Sequence, residues 1–178
     1  MSGWRPGDRR PDRESMLRVD QAGEYGATRI YAGQLAVLRR NCPEAKLIAR
    51  MAAQEERHLK RFNALMADRR VRPTALQPLW NVAGFALGAA TALMSEKAAR
   101  ACTDAVETEI DRHYASQLAA LGNDDPELSA DIAEFQAEEL EHRDTAREAG
   151  AAQAIGYPLL TTAIRAGCRM AIELSKRI

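Results

Sequence analysis

One pattern constrains this chain more than any other. A glutamate is followed about thirty residues later by Glu-x-x-His, and the whole arrangement occurs twice. Glu24 precedes Glu55-Glu56-Arg57-His58 by 31 residues, and Glu107 precedes Glu139-Leu140-Glu141-His142 by 32. On a helix, residues three apart share a face, so the carboxylate and imidazole of each motif can grip one ion. A lone Glu-x-x-His reads as a solvated pair. These do not, because of where they sit.

Apolar periodicity places all six residues on the inward stripes of four helices. The first helix, about Ser15 to Arg40, carries Leu17, Gln21, Glu24, Thr28, Tyr31, Leu35 and Leu38 at alternating four-three spacing. The second opens at Pro43 and carries Ile48, Met51, Glu55, His58, Phe62 and Leu65. Another, from about Glu96, carries Thr103, Glu107, Ile110, Tyr114, Gln117 and Leu121. The next opens at Asp125-Pro126, carries Leu128, Ile132, Phe135, Glu139, His142 and Ala146, and ends at Gly150. Glu56, Glu138 and Glu141 fall on outward faces. Two of only three histidines in the chain occupy the motif. Buried together, four carboxylates repel one another and lose hydration. With two neutral imidazoles they sum to a charge of minus four, which two divalent cations cancel. Oxygen and imidazole ligands without thiolate suit iron or manganese. The expected fold is all-α, a ferritin-like four-helix bundle with Glu24, Glu55, His58, Glu107, Glu139 and His142 turned inward on two metals. The pairs within each hairpin are not level, an offset left to side-chain length and loop geometry.

Lys+Arg and Asp+Glu balance at 25 each, which gives no support to nucleic-acid binding. Cys42, Cys102 and Cys168 match no metal or redox spacing and read as free thiols. The expected organisation is a loose tail over residues 1–14 and one domain over 15–178, with no apolar leader and no organelle transit peptide. A last helix runs from about Pro158 to Lys176. Residues 73–95 hold no charge but include Gln77, Pro78 and Asn81, which argues against a span. Two readings stand: a buried connector packed through Gly84 and Gly88, or an amphipathic segment dipping into one leaflet with Trp80 at the interface. Tyr31 reads as packing with a polar tip. Tyr25, His113 and Tyr114 stay open between packing and a role near the metals. No Gly-x-Gly-x-x-Gly occurs, so a nicotinamide electron donor would have no Rossmann unit here.

Four segments together resemble the demethoxyubiquinone hydroxylase family of ubiquinone biosynthesis. They are Arg18-Val19-Asp20-Gln21-Ala22-Gly23-Glu24-Tyr25-Gly26-Ala27, Arg72 to Gly88, Ala101 to Tyr114, and Glu138 to His142. The resemblance runs from about Met16 to Ile178. It implies a di-iron monooxygenase, peripheral to a membrane, that hydroxylates the ring of a polyprenyl demethoxyubiquinone or its quinol. It also implies that the six residues are iron ligands, Glu55 and Glu139 bridging, and that His113 and Tyr114 lie near substrate or electron entry. Relatives often have His at the positions of Gln21 and Arg112. Expected partners are the quinone, dioxygen, NADH, the membrane surface, and proteins of the ubiquinone-synthesis complex or a lipid-binding accessory protein. Residues 73–95 and the last helix then become membrane-associating segments. The expected location is the cytoplasmic face of a bacterial cell membrane, the alternative being the matrix side of the mitochondrial inner membrane. The competing functions are a ferroxidase or peroxide scavenger, and a lipid-binding scaffold with structural metals.

Overall fold

The structure, a computed structural model, describes residues 12–39 and 42–177, so the expected tail lies outside it up to residue 11. Among the described residues there are six α-helices and no strand. They are α1 (Arg13–Val37), α2 (Pro43–Asp68), α3 (Gln77–Met94), α4 (Glu96–Leu121), α5 (Pro126–Glu148) and α6 (Tyr157–Ser175). The first helix starts earlier than its apolar stripe, because the Asp12 carboxylate caps it by accepting from Ser15 N–H at 3.0 Å. It ends at Val37, where Leu38 turns extended. The last helix starts and stops one residue earlier than expected, behind Gly156 at φ +69°.

Capping fixes the other starts. The Ser95 hydroxyl accepts from Ala98 N–H at 3.0 Å, which restarts the chain as α4 directly after α3. Asp125 accepts from Leu128 N–H at 3.1 Å and also pairs with Arg69 at the end of α2. Burial works against the charge of Asp125, but Arg69 and the cap hold its carboxyl below the usual range. That stabilisation is complete above the unfolded-state pKa near 3.8 and is lost as pH falls through the lower folded value. Asp125→Ala is expected to cost about 2 kcal/mol near neutral pH and less in acid, measured by urea unfolding at both.

The helices α1 and α4 are central. Each turns one face to its antiparallel neighbour (α1 to α2, α4 to α5) and the other to α3 and α6. Apolar clusters close both ends of the α1–α2–α4–α5 interior. At one end Leu17, Phe62, Leu65, Leu121, Leu128 and Phe135 pack together; at the other, Tyr31, Ile48 and Met51. Buried Glu109 of α4 accepts from Arg165 and Arg169 of α6 at 2.7 and 2.8 Å, and the Trp80 indole of α3 donates to Ser175 at 3.1 Å. Trp80 thus staples α3 to α6.

The α3 segment packs as the connector reading expects, through its glycines, and Trp80 bonds inward to Ser175. Its inner face meets α1 backbone to backbone through Gly84 and Gly88. Its outer face exposes Leu79, Val82, Leu93 and Met94. No helix among the described residues is long and apolar enough to cross a membrane.

Candidate metal centre

The six motif residues meet in the middle of the helix cluster. Glu55, His58 and Glu139 are fully buried, and Glu24, Glu107 and His142 nearly so. Their ligand atoms form two groups of four, each within 4.8 Å: Glu24, Glu55, His58 and Glu139, and Glu55, Glu107, Glu139 and His142. The uneven spacing of the two hairpins is therefore absorbed. Glu55 and Glu139, the motif glutamates, belong to both groups.

Both imidazoles point Nδ1 at the carboxylates. His58 Nδ1 lies 3.0 Å from Glu139 and 3.3 Å from Glu24; His142 Nδ1 lies 3.2 Å from both Glu55 and Glu139. The opposite nitrogens face polar partners. His58 Nε2 is 2.8 Å from Glu138 Oε2, and His142 Nε2 is 2.9 Å from Gln54 Oε1. An N–H donated there leaves the Nδ1 lone pair free for a ligand role. Two phenols complete the ring. Tyr31 donates to Glu107 Oε1 at 2.9 Å and Tyr114 donates to Glu24 Oε1. Burial first, and then the adjacent carboxylates, push both phenols well above their ordinary pKa, so they remain donors.

These residues fit a pair of cations. Among the described residues, both oxygens of Glu55, one each of Glu24, Glu107 and Glu139, and His58 Nδ1 are buried without a hydrogen-bond partner. Orphaned buried acceptors are costly unless something positive satisfies them. Without metal, protons serve. Burial and then the Glu139 charge push Glu55 and Glu107 well up. Against its burial, His58 is raised to about 10 by Glu139 and Glu24. Glu139, despite its burial, is held at about 2 by His142 and His58. A bound cation would have to displace these protons, so divalent-cation affinity is expected to rise with pH, and an unbuffered solution to acidify on metal addition. A pH electrode during anaerobic titration checks this.

Tyr114, left open by the sequence, touches the centre through Glu24. Tyr31, expected only to pack, also does so. His113 does not reach it; its Nε2 lies 2.9 Å from Gln117 and 3.3 Å from buried Asp20. Tyr25 is half-buried on α1, Gln21 donates to Asn63 at 3.1 Å, and Arg112 is exposed beside Glu109. Glu56 and Glu141 are exposed as expected, but Glu138 is not a free surface carboxylate. It holds His58 and accepts from Arg57. The available signal was its place immediately before Glu139, matching Gln54 before Glu55. Cys42, Cys102 and Cys168 are free thiols.

An all-helical protein with a buried, candidate dinuclear carboxylate–histidine centre is the class that fold and site define. The chain matches Ubiquinone biosynthesis protein COQ7 over residues 11–175, and it belongs to that family. It is 55% identical over 175 residues to a 3-demethoxyubiquinol 3-hydroxylase of Rhodospirillum rubrum, covering 97% of this chain and 82% of the relative. It is 54% identical over 168 residues to the NADPH-dependent 3-demethoxyubiquinone 3-hydroxylase, mitochondrial, of Mus musculus, covering 92% and 77%. A yeast 5-demethoxyubiquinone hydroxylase, mitochondrial, is 42% identical over 181 residues, covering 93% and 78%.

Proposed function

We propose that this chain hydroxylates the ring of a polyprenyl demethoxyubiquinone or demethoxyubiquinol with a di-iron centre, as a ferritin-like bundle working as one domain from residue 15 onward. The observation that carries the reading is the double set of buried ligands with unpartnered atoms, in a chain of this family. Glu24, Glu55, His58 and Glu139 would hold one ion, and Glu55, Glu107, Glu139 and His142 the other, with Glu55 and Glu139 shared. When bound, the irons supply the reduction of dioxygen and the transfer of one of its oxygen atoms. The net reaction puts that atom on the ring and releases the other as water, consuming two electrons.

The chain's own residues do the remaining work. Tyr31 and Tyr114 orient Glu107 and Glu24 and keep their own protons. Glu138 and Gln54 set the imidazole tautomers. The apolar clusters at both ends of the interior exclude bulk water. Ala27, Ile30 and Val106 pack beside Tyr31 and Glu107 between α1 and α4, so the wall of the centre on that side is apolar and closed to water.

A polyprenyl substrate lives in a bilayer, and α3 and the α6 region offer it an apolar surface. Leu93 is 73% exposed, Leu159 78% and Ile155 94%. This supports monotopic attachment, at the cytoplasmic face of a bacterial membrane or, as the names of the eukaryotic relatives suggest, at a mitochondrial one. Replacing Val82 and Leu93 together by Ser is expected to lower vesicle binding about tenfold without lowering thermal stability, measured by vesicle sedimentation and melting. The electron source would be a reduced nicotinamide. The mouse relative is named NADPH-dependent, whereas the sequence reading expects NADH, so both belong in the assay. Iron-loaded protein, NADH or NADPH, air and a short-tailed demethoxyquinone should give a product one oxygen atom heavier. Rapid ferrous oxidation with no quinone product, even with an added reductase, would replace this reading with a ferroxidase.

A further inference from the structure

The two halves of the candidate centre are close to symmetric in their ligands. Each set has one carboxylate of its own held by a phenol, one imidazole through Nδ1, and the shared Glu55 and Glu139. The symmetry breaks one bond further out. The residue just before each motif glutamate reaches across to the other motif's histidine, and in one half it is Glu138, in the other Gln54. His58 Nε2 therefore meets a carboxylate, and His142 Nε2 a neutral amide.

We infer that Glu138 and Gln54 are positioning residues that make the two ion positions unequal, the position beside His58 binding its cation more tightly than the one beside His142. The inference rests on the metal reading above and goes beyond it. A carboxylate accepting the Nε2 proton forms a charge-assisted bond and makes Nδ1 a more basic ligand; an amide oxygen does so much less. Other groups facing Glu138 do not undo this. Arg57 pairs with it, but Arg57 is about half exposed, with a side-chain exposure of 48%, and water screens its charge. Gln54 Nε2 reaches Glu138 only at 3.5 Å. Glu138 keeps its 2.8 Å contact with His58 throughout. The His142 ring is nearly buried, its outer nitrogen meets Gln54 alone among the described residues, and the edge of Tyr31 lies 6.5 Å away between centroids. The consequence is ordered loading: the Glu24–His58 position fills first.

The test is an anaerobic titration of the full metal-free chain with ferrous ion, followed by calorimetry. Wild type is expected to bind two ions in two resolved steps. Glu138→Gln keeps the shape and removes the charge, and should weaken the tighter step about tenfold and bring the steps together. Gln54→Met removes the acceptor from His142, and should weaken the other step by a smaller factor and widen the gap. A purely structural role would move both steps together, and so would partial unfolding. Two equal steps in wild type would overturn the inference, as would Glu138→Gln weakening both steps alike. So would Gln54→Met acting on the tighter step. Absence of any ferrous binding would overturn the metal reading with it, whereas stepwise binding without quinone hydroxylation would overturn only the activity.

Discussion

Glu55→Leu is expected to strip the protein of activity while making its metal-free form more stable. Glu55 belongs to both ligand groups, and both of its oxygens are buried without a partner. In the metal-free chain it sits beside Glu139, Glu24 and Glu107, and burial together with those charges pushes its carboxyl far up. It is a source of instability there. A leucine of similar volume removes the desolvation cost and the repulsion, a change worth about 1–4 kcal/mol in favour of folding. The same change would take one proposed ligand from each of the two candidate ion positions. Wild type should gain about 2.7 kcal/mol from ferrous ion at a hundred times its dissociation constant, and the variant close to nothing. Glu24→Leu removes a ligand from one group only and should leave one ion bound. Melting curves with and without ferrous ion, beside quinone turnover, read all of this. A Glu55→Leu protein that still turned over quinone would sink the assignment.

The second large effect lies away from the metals. A Cβ on Gly88 would sit 1.9 Å from the Ile30 carbonyl oxygen, and one on Gly33 would sit 2.1 Å from the Phe85 carbonyl oxygen. Both obstacles are backbone, so no side-chain rotation relieves them. Helices α1 and α3 must separate, and α1 carries Glu24 and Tyr31. Gly88→Ala is expected to cost about 3 kcal/mol or more, roughly 10 °C in melting temperature for a chain of this size. Gly167→Ala is the control. It lies within α6 with nothing inside 4 Å of the new methyl, and should stabilise by about 0.5–1 kcal/mol. Equal melting of Gly88→Ala and wild type would mean that α3 does not dock as described.

The six motif residues were legible because three physical constraints coincide on them. They share helical stripes with apolar residues, histidine is scarce in the chain, and four buried carboxylates demand positive charge. The second buried faces of α1 and α4 were not legible. Residues 98–107 of α4 are almost continuously buried, yet many are alanine, which packs against a neighbour without marking a stripe. The position of Trp80 was open because a tryptophan beside an apolar segment can rest in lipid or bond inward, and only the partner Ser175 decides. Glu138 was read as surface because it lies one residue off the stripe; its long side chain reaches back to His58, and helical phase alone does not report reach. Tyr31 was placed correctly on the stripe, but its hydroxyl partner lies 76 residues away on another helix.

The measurement that bears most directly on the central claim uses labelled dioxygen. Iron-loaded protein, reduced nicotinamide and a short-tailed demethoxyquinone are incubated under 18O2, and the product is weighed. One 18O atom is expected in each product ring, and none with Glu55→Leu. Product oxygen drawn from water, or labelled product formed equally well by Glu55→Leu, would contradict it.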